Sequence, residues 1–183
     1  MENLQKPVSS EYPVYYERYL KLLPDDIDVI SVLKNQVEEI IGLVQHLRDH
    51  EAGQGYAAGK WSIKELLQHM LDTERIFAYR ALCFSRGEEV SLPSYNEDQY
   101  AENSVANRRR LADIILEYRL LRQSTLNLIK SFSPEMIDLV GSSGGNAASV
   151  RSIIWIIAAH EKHHLNIIKE RYLPFFEINK ADF

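Results

Sequence analysis

Apolar side chains recurring at intervals of three and four, over four separate stretches, constrain this chain more than any other feature. The clearest case is Ile30, Leu33, Val37, Ile40, Ile41, Val44 and Leu47. Such spacing puts one apolar stripe on a helix, which is stable only when other stripes cover it. The first stretch begins after Pro24-Asp25-Asp26 and runs to about His50, stopping at Gly53 and Gly55. The second opens on Ser62-Ile63-Lys64-Glu65, a capping box, continues through Leu66, Met70, Phe77 and Ala81, and ends near Gly87. A long loop, Glu88 to Asn103, follows; a loop of that length inside a compact domain is often functional.

The third helix is expected from Ser104 to Phe132, with Leu111, Ile114, Ile115, Tyr118, Leu121 and Leu128 turned inward. Ser133-Pro134-Glu135 reads as the start of a short helix, and Gly141 to Gly145 as a flexible break. The fourth helix runs from near Ser149 to about Tyr172, where Pro174 ends it. With no convincing alternating strand pattern, the fold class is all-α: a four-helix bundle. The 183 residues suffice for one domain with a full core, spanning 1–183, with residues 1–24 as an N-terminal extension packing on it. Tyr12, Tyr15, Tyr16 and Tyr19 give that extension an aromatic surface for the bundle or a dimer interface.

Chemistry concentrates in the fourth helix. Three of the six histidines fall in His160-Glu161-Lys162-His163-His164. Residues four apart project about 40° from one another on a helix, so His160 and His164 can aim two imidazoles at one point. They share the apolar row Ile153, Ile157 and Ile167 and so face the core, where imidazoles need a partner. A metal ion is the leading explanation. Catalytic sites commonly use three protein ligands and one open position. His69 lies on the row Leu66, His69, Thr73 and Ile76 of the second helix and completes the set His69, His160 and His164. A lone histidine on such a row is more often a hydrogen-bonded core residue; two at helical spacing with a third in reach favour metal.

His163 could pair with His160 at spacing three, but its row, with Ile156 and Glu170, is less consistently apolar. His46 and His50 stand beside Arg48, Asp49 and Glu51 and belong to solvent, and Cys83, the single cysteine, belongs to packing. The same five residues satisfy H-E-x-x-H, which would make Glu161 the general base of a metalloprotease. The extended form of that motif needs glycine and histidine where Ile167 and Glu170 stand. Glu161 is nonetheless the candidate catalytic carboxylate, with Asp72 and Glu74 as further proton-transfer or orienting groups.

A net charge of −5 argues against nucleic-acid binding, the absence of a span of ~20 apolar residues against membrane insertion, and a single cysteine against an internal disulfide. The expected location is cytoplasmic.

Several segments together resemble the DinB/YfiT-like family. Lys60 to His69 with Asp72-Thr73-Glu74-Arg75 resembles its second-helix signature. Leu92-Pro93-Ser94-Tyr95-Asn96-Glu97-Asp98 resembles its following loop, and Ala159-His160 through His163-His164 its fourth-helix motif. The resemblance implies a four-helix bundle holding zinc or nickel on one histidine of helix two and two of helix four, by position His69, His160 and His164. It also implies a homodimer, and a metal-dependent hydrolase or a thiol S-transferase that takes a low-molecular-weight thiol as cosubstrate. The expected function is activation of water or a small thiol toward a small-molecule substrate. A non-catalytic metal-binding or sensor protein is the rival reading, and a histidine cluster that binds nothing is the structural one.

Overall fold

The computed structural model describes residues 4–180; the outermost parts of the expected 1–183 domain, 1–3 and 181–183, lie outside them. In chain order the helices are α1 (Glu17–Leu20), α2 (Val29–Val44), α3 (Asp49–Ala52), α4 (Ile63–Ser85), α5 (Glu97–Asn103), α6 (Leu111–Lys130), α7 (Pro134–Ile137), α8 (Val150–Ile167) and α9 (Leu173–Lys180). A hairpin of β1 (Val140–Ser143) and β2 (Asn146–Ser149) lies between α7 and α8. The four long helices form the bundle. Each of α4 and α2 packs against both α8 and α6, which places α4 opposite α2 and α6 opposite α8.

Local chemistry explains the starts. Ser62 Oγ accepts from Glu65 N while Glu65 returns a bond to Ser62 N, so the expected capping box opens α4. Asp28 caps α2 and Ser149 caps α8 through Ser152 N. The first helix is shorter than its apolar row suggested, because the chain turns after Val44 before the separate turn of α3. The third begins at Leu111 rather than near Ser104, because the preceding residues Ala106–Arg108 form a tighter turn.

Three expectations are corrected. The stretch 88–103 is not all loop: Asn96 accepts from Gln99 N and caps α5. The glycine-rich break is an antiparallel hairpin, with Ser143 opposite Asn146 and both turn glycines at positive φ, 56° for Gly144 and 77° for Gly145. That pair of conformations suits the twist of a tight hairpin and favours glycine. Leu92 N donates to Ser142 O at 2.9 Å and Gly144 N to Leu92 O at 2.8 Å, so the hairpin holds the loop after α4. Finally, Pro174 does not end the helical run. The helix widens over Ile168–Tyr172 and Pro174 enters as the second residue of α9. Widening removes the clash and the missing amide that proline would otherwise impose on an unbroken α-helix.

The core divides into two apolar regions along the bundle. One gathers Leu20, Leu33, Phe84, Ile129 and Trp155; the other gathers Ile40, Leu67, Ile114, Tyr118 and Leu165. Between them lies a buried polar layer containing Gln36, Glu74, Arg122, Thr125, Glu161 and His164. The N-terminal segment lies over the first region: Leu4, Tyr19, Leu20 and Leu23 join it, and Trp155 Nε1 donates to Leu4 O at 3.1 Å. Among the described residues no helix is long and apolar enough to cross a membrane.

Candidate metal centre

The polar layer is organised by one side chain. Arg122 of α6, 2% exposed, reaches the other three bundle helices. Its Nε donates to Glu74 Oε1 of α4 at 3.0 Å and its Nη2 to Glu74 Oε2 at 2.9 Å. Nη1 engages the Leu33 carbonyl of α2, and Nη2 also engages Glu161 of α8. Tyr118 Oη donates to the other oxygen of Glu161 at 2.5 Å. Burial pushes the Glu161 carboxyl up, and the Arg122 charge pulls it back down.

Both oxygens of Glu161 are therefore committed inside the bundle, and Glu161 is absent from the cluster described next. The carboxylate expected as the catalytic one is thus held by Tyr118 and Arg122 in this structure. A residue directly after His160 on a helix points about 100° away from it, toward α6. Glu74 is likewise spent on Arg122, and Asp72 accepts from Gln68 Nε2 at 2.9 Å.

His69, His160 and His164 converge. Nε2 of His160 lies 3.1 Å from Nε2 of His69 and 3.0 Å from Nε2 of His164. The tight packing of α4 on α8 brings His69 across to a pair that the helix itself sets one turn apart. His69 and His164 are buried; His160 is half-buried. Trp61 lies against the His69 ring at 4.8 Å between centroids. His163 is half-buried at the side and meets Tyr19 edge-on at 5.0 Å. His46 and His50 are exposed, and Cys83 is half-buried against the core.

Burial pulls the His69 imidazole down to about 4, against the opposing charge of Asp98 and with a smaller push from His163. Burial, then the neighbouring imidazoles, holds His160 and His164 well below the ordinary histidine range. All three are neutral at pH 7, and each carries a lone pair. The nitrogen of His160 offers either one N–H or one lone pair, so it cannot make full hydrogen bonds to both neighbours. Bonds of about 2.0–2.1 Å to one ion place ligand nitrogens about 2.9–3.4 Å apart. The spacing and the chemistry of the donor set fit a divalent cation.

A cavity of about 250 Å³ opens beside His160. Tyr16 and Tyr19 from the N-terminal segment, Thr73, Phe77 and Arg80 from α4, and Ile153 and Ile156 from α8 line it. Tyr95 closes another side, its hydroxyl 3.0 Å from Thr73 Oγ1. A second cavity of similar size reaches His164 between Trp61, Asp98 and Tyr172. The sequence reading missed Trp61, Tyr95, Asp98 and Arg80 as site neighbours. Signals were present: Trp61, Tyr95 and Asp98 lie in the segments that carry the resemblance, and Arg80 lies eleven residues from His69 and so on nearly the same face of α4.

Comparison with known proteins agrees with this geometry. A model of the DinB superfamily matches residues 33–168, which include all three histidines. A protein of Oceanobacillus iheyensis named "putative metal-dependent hydrolase" is 26% identical over 137 residues, 69% of this chain and 73% of its own length. YfiT from Bacillus subtilis, described as a probable metal-dependent hydrolase with an unusual four-helix bundle topology, superposes with a TM-score of 0.72. It is 15% identical, with 90% of each chain covered. A mycothiol-dependent maleylpyruvate isomerase superposes with a TM-score of 0.63 at 12% identity, over 77% of this chain and 60% of its own; both likenesses concern the fold.

Proposed function

The chain belongs to the DinB superfamily, and on that premise we propose that it is a metal-dependent enzyme acting on a small molecule. His69, His160 and His164 hold the ion, zinc or nickel. The observation that carries this reading is the convergence of three largely buried imidazoles, Nε2 of His69 and of His164 lying 3.1 and 3.0 Å from Nε2 of His160, beside an open cavity. A divalent ion held there supplies Lewis acidity, which makes water or a small thiol nucleophilic near neutral pH.

The chain's own residues do the rest. The desolvated imidazoles keep their lone pairs free of protons. Trp61 shields His69 on one side, and Tyr118 and Arg122 fix Glu161, the residue next to His160 on α8. Tyr16, Tyr19 and Tyr95 wall the cavity and restrict water around a bound substrate.

Hydrolysis is the first reading, because the relative from Oceanobacillus iheyensis is named as a hydrolase. Thiol transfer uses the same centre, with the thiol in place of water. The protein is proposed to act as a homodimer.

Elemental analysis of tag-free protein, with the His69→Ala, His160→Ala and His164→Ala variants, tests the centre. About one ion per chain in the wild type, and loss in each variant, is the expected result. No bound ion after reconstitution with zinc or nickel overturns it. Metal-dependent turnover of esters or amides supports hydrolysis. Turnover of electrophiles only with an added thiol assigns transfer, and stoichiometric metal without either activity assigns a binding protein.

A further inference from the structure

The cavity beside His160 has a buried cation in its wall that pairs with no carboxylate among the described residues. Arg80 is 6% exposed and lines the cavity wall. Its Nη2 donates to Pro93 O at 3.1 Å, and its guanidinium lies 5.5 Å from the Phe77 ring centre and 5.9 Å from that of Tyr95. Among the described residues no Asp or Glu oxygen forms an ion pair with it. Glu97 is the carboxylate in the cavity lining, and it is exposed at the start of α5 and free to be hydrated. The contrast with Arg122, also buried, is direct: Arg122 faces two carboxylates.

A guanidinium removed from water is costly unless charge or hydrogen bonds compensate it. One carbonyl, the neighbouring Tyr16 hydroxyl and two aromatic rings compensate Arg80 only in part, since a guanidinium has five N–H donors and none of these partners is an anion. The remaining donors border a cavity. Planar, forked donors of this kind match a carboxylate in a two-bond contact.

Position adds a second constraint. Arg80 continues the row of His69, Thr73 and Phe77 along α4, about 20° from His69 in projection and roughly 16 Å further along the axis. The row ends in a cation at one end and the histidine centre at the other. Between them Phe77, Ile153, Ile156 and the ring of Tyr16 supply an apolar stretch of wall, beside the mutually paired hydroxyls of Thr73 and Tyr95.

We propose that the substrate is a small organic acid, its carboxylate held by Arg80 and its apolar body lying along Phe77, Ile153 and Ile156 with the reacting end at His160. This rests on the reading of the histidine centre as the reaction site, but the binding of the carboxylate does not require the metal. Arg80 is a substrate-binding residue, and it discriminates acids from their neutral analogues.

The test uses straight-chain and phenyl-substituted monocarboxylates, each beside its primary amide. Binding is measured by calorimetry to the wild type, Arg80→Met and Arg80→Lys, in both zinc-reconstituted and chelator-treated protein. Circular dichroism confirms that each variant is folded. The expected result is at least one acid bound about tenfold or more tighter than its amide, the scale of a hydrogen bond to a charged group. Arg80→Met abolishes that preference, Arg80→Lys retains part of it, and the preference persists without metal. If no acid in the series shows a preference that depends on Arg80, the proposal is overturned. A preference that vanishes with the metal and ignores Arg80 also overturns it, because the carboxylate is then a metal ligand. A protein that binds no metal yet keeps the Arg80-dependent preference refutes the enzyme reading and leaves the acid site standing.

Discussion

Replacing Arg122 by methionine removes a buried side chain that by itself ties α6 to α2, α4 and α8. The substitution keeps most of the side chain's length and apolar stem and deletes the guanidinium. Glu74 and Glu161 then remain, each with a side chain 3% exposed, without their cation, and the Leu33 carbonyl loses its donor. Breaking a buried ion pair by removing one partner costs about 3–5 kcal/mol, because the other charge stays buried and uncompensated. For a domain of this size each kcal/mol moves the Tm by about 2–4 °C, so the expected loss is roughly 6–20 °C. The carboxylates can limit the loss by taking up protons.

That uptake has a sign. Burial already raises the Glu161 carboxyl and the variant removes the Arg122 charge that opposes this, so Glu161 sits above its unfolded value of about 4.3 and the folded state binds more protons than the unfolded chain. Stability therefore falls as pH rises through that window, and the deficit against wild type is smaller at pH 5 than at pH 8. Adding Glu74→Gln and Glu161→Gln to Arg122→Met removes the orphaned charges and recovers part of the loss. Thermal and urea unfolding of metal-free protein, followed by circular dichroism, reads all three effects. A loss under about 1 kcal/mol in Arg122→Met, or a deficit that grows on acidification, would show that the arginine does not neutralise the two carboxylates.

Metal-free wild type should also lose stability in acid through its histidines. The His69 imidazole is near 4 in the fold and about 6.5 in the unfolded chain, so the unfolded state binds the extra proton between those values. The stability is whole above pH 6.5 and falls toward pH 4, by roughly 3 kcal/mol from His69 alone; urea midpoints of His69→Gln should show a shallower decline, and an equal slope in both proteins would refute the assignment. Gly141→Ala places a new Cβ 2.0 Å from Phe84 Cδ1, so the hairpin must shift. A loss of about 1–3 kcal/mol is expected, with weaker binding in the cavity because the hairpin holds the loop bearing Tyr95; unchanged melting would mean that Phe84 moves aside freely.

Much of this protein was legible in the order of its residues. Apolar side chains at spacings of three and four placed four helices, because the helix period is a local property. Ser62 and Glu65 marked the start of α4 for the same reason, both partners lying within one turn. His160 and His164 were readable as a pair because four residues on a helix always bring two side chains to one face. The tight turn at Gly144-Gly145 and the cap at Asn96 were also local and went unread, since short elements carry little periodic signal.

Tertiary structure decided what depends on residues far apart in the chain. Whether His69 reaches His160, 91 positions away, follows from how α4 packs on α8, which no spacing encodes. The direction of Glu161 was decided the same way. By sequence it was the acid of a catalytic motif; in the fold Arg122 and Tyr118 of α6 claim both its oxygens. Arg122 and Arg80 look alike as letters, each a cation on the inward row of a long helix. Packing gives one of them two carboxylates and leaves the other at the wall of a cavity, because the value of a buried charge is set by what the fold brings beside it.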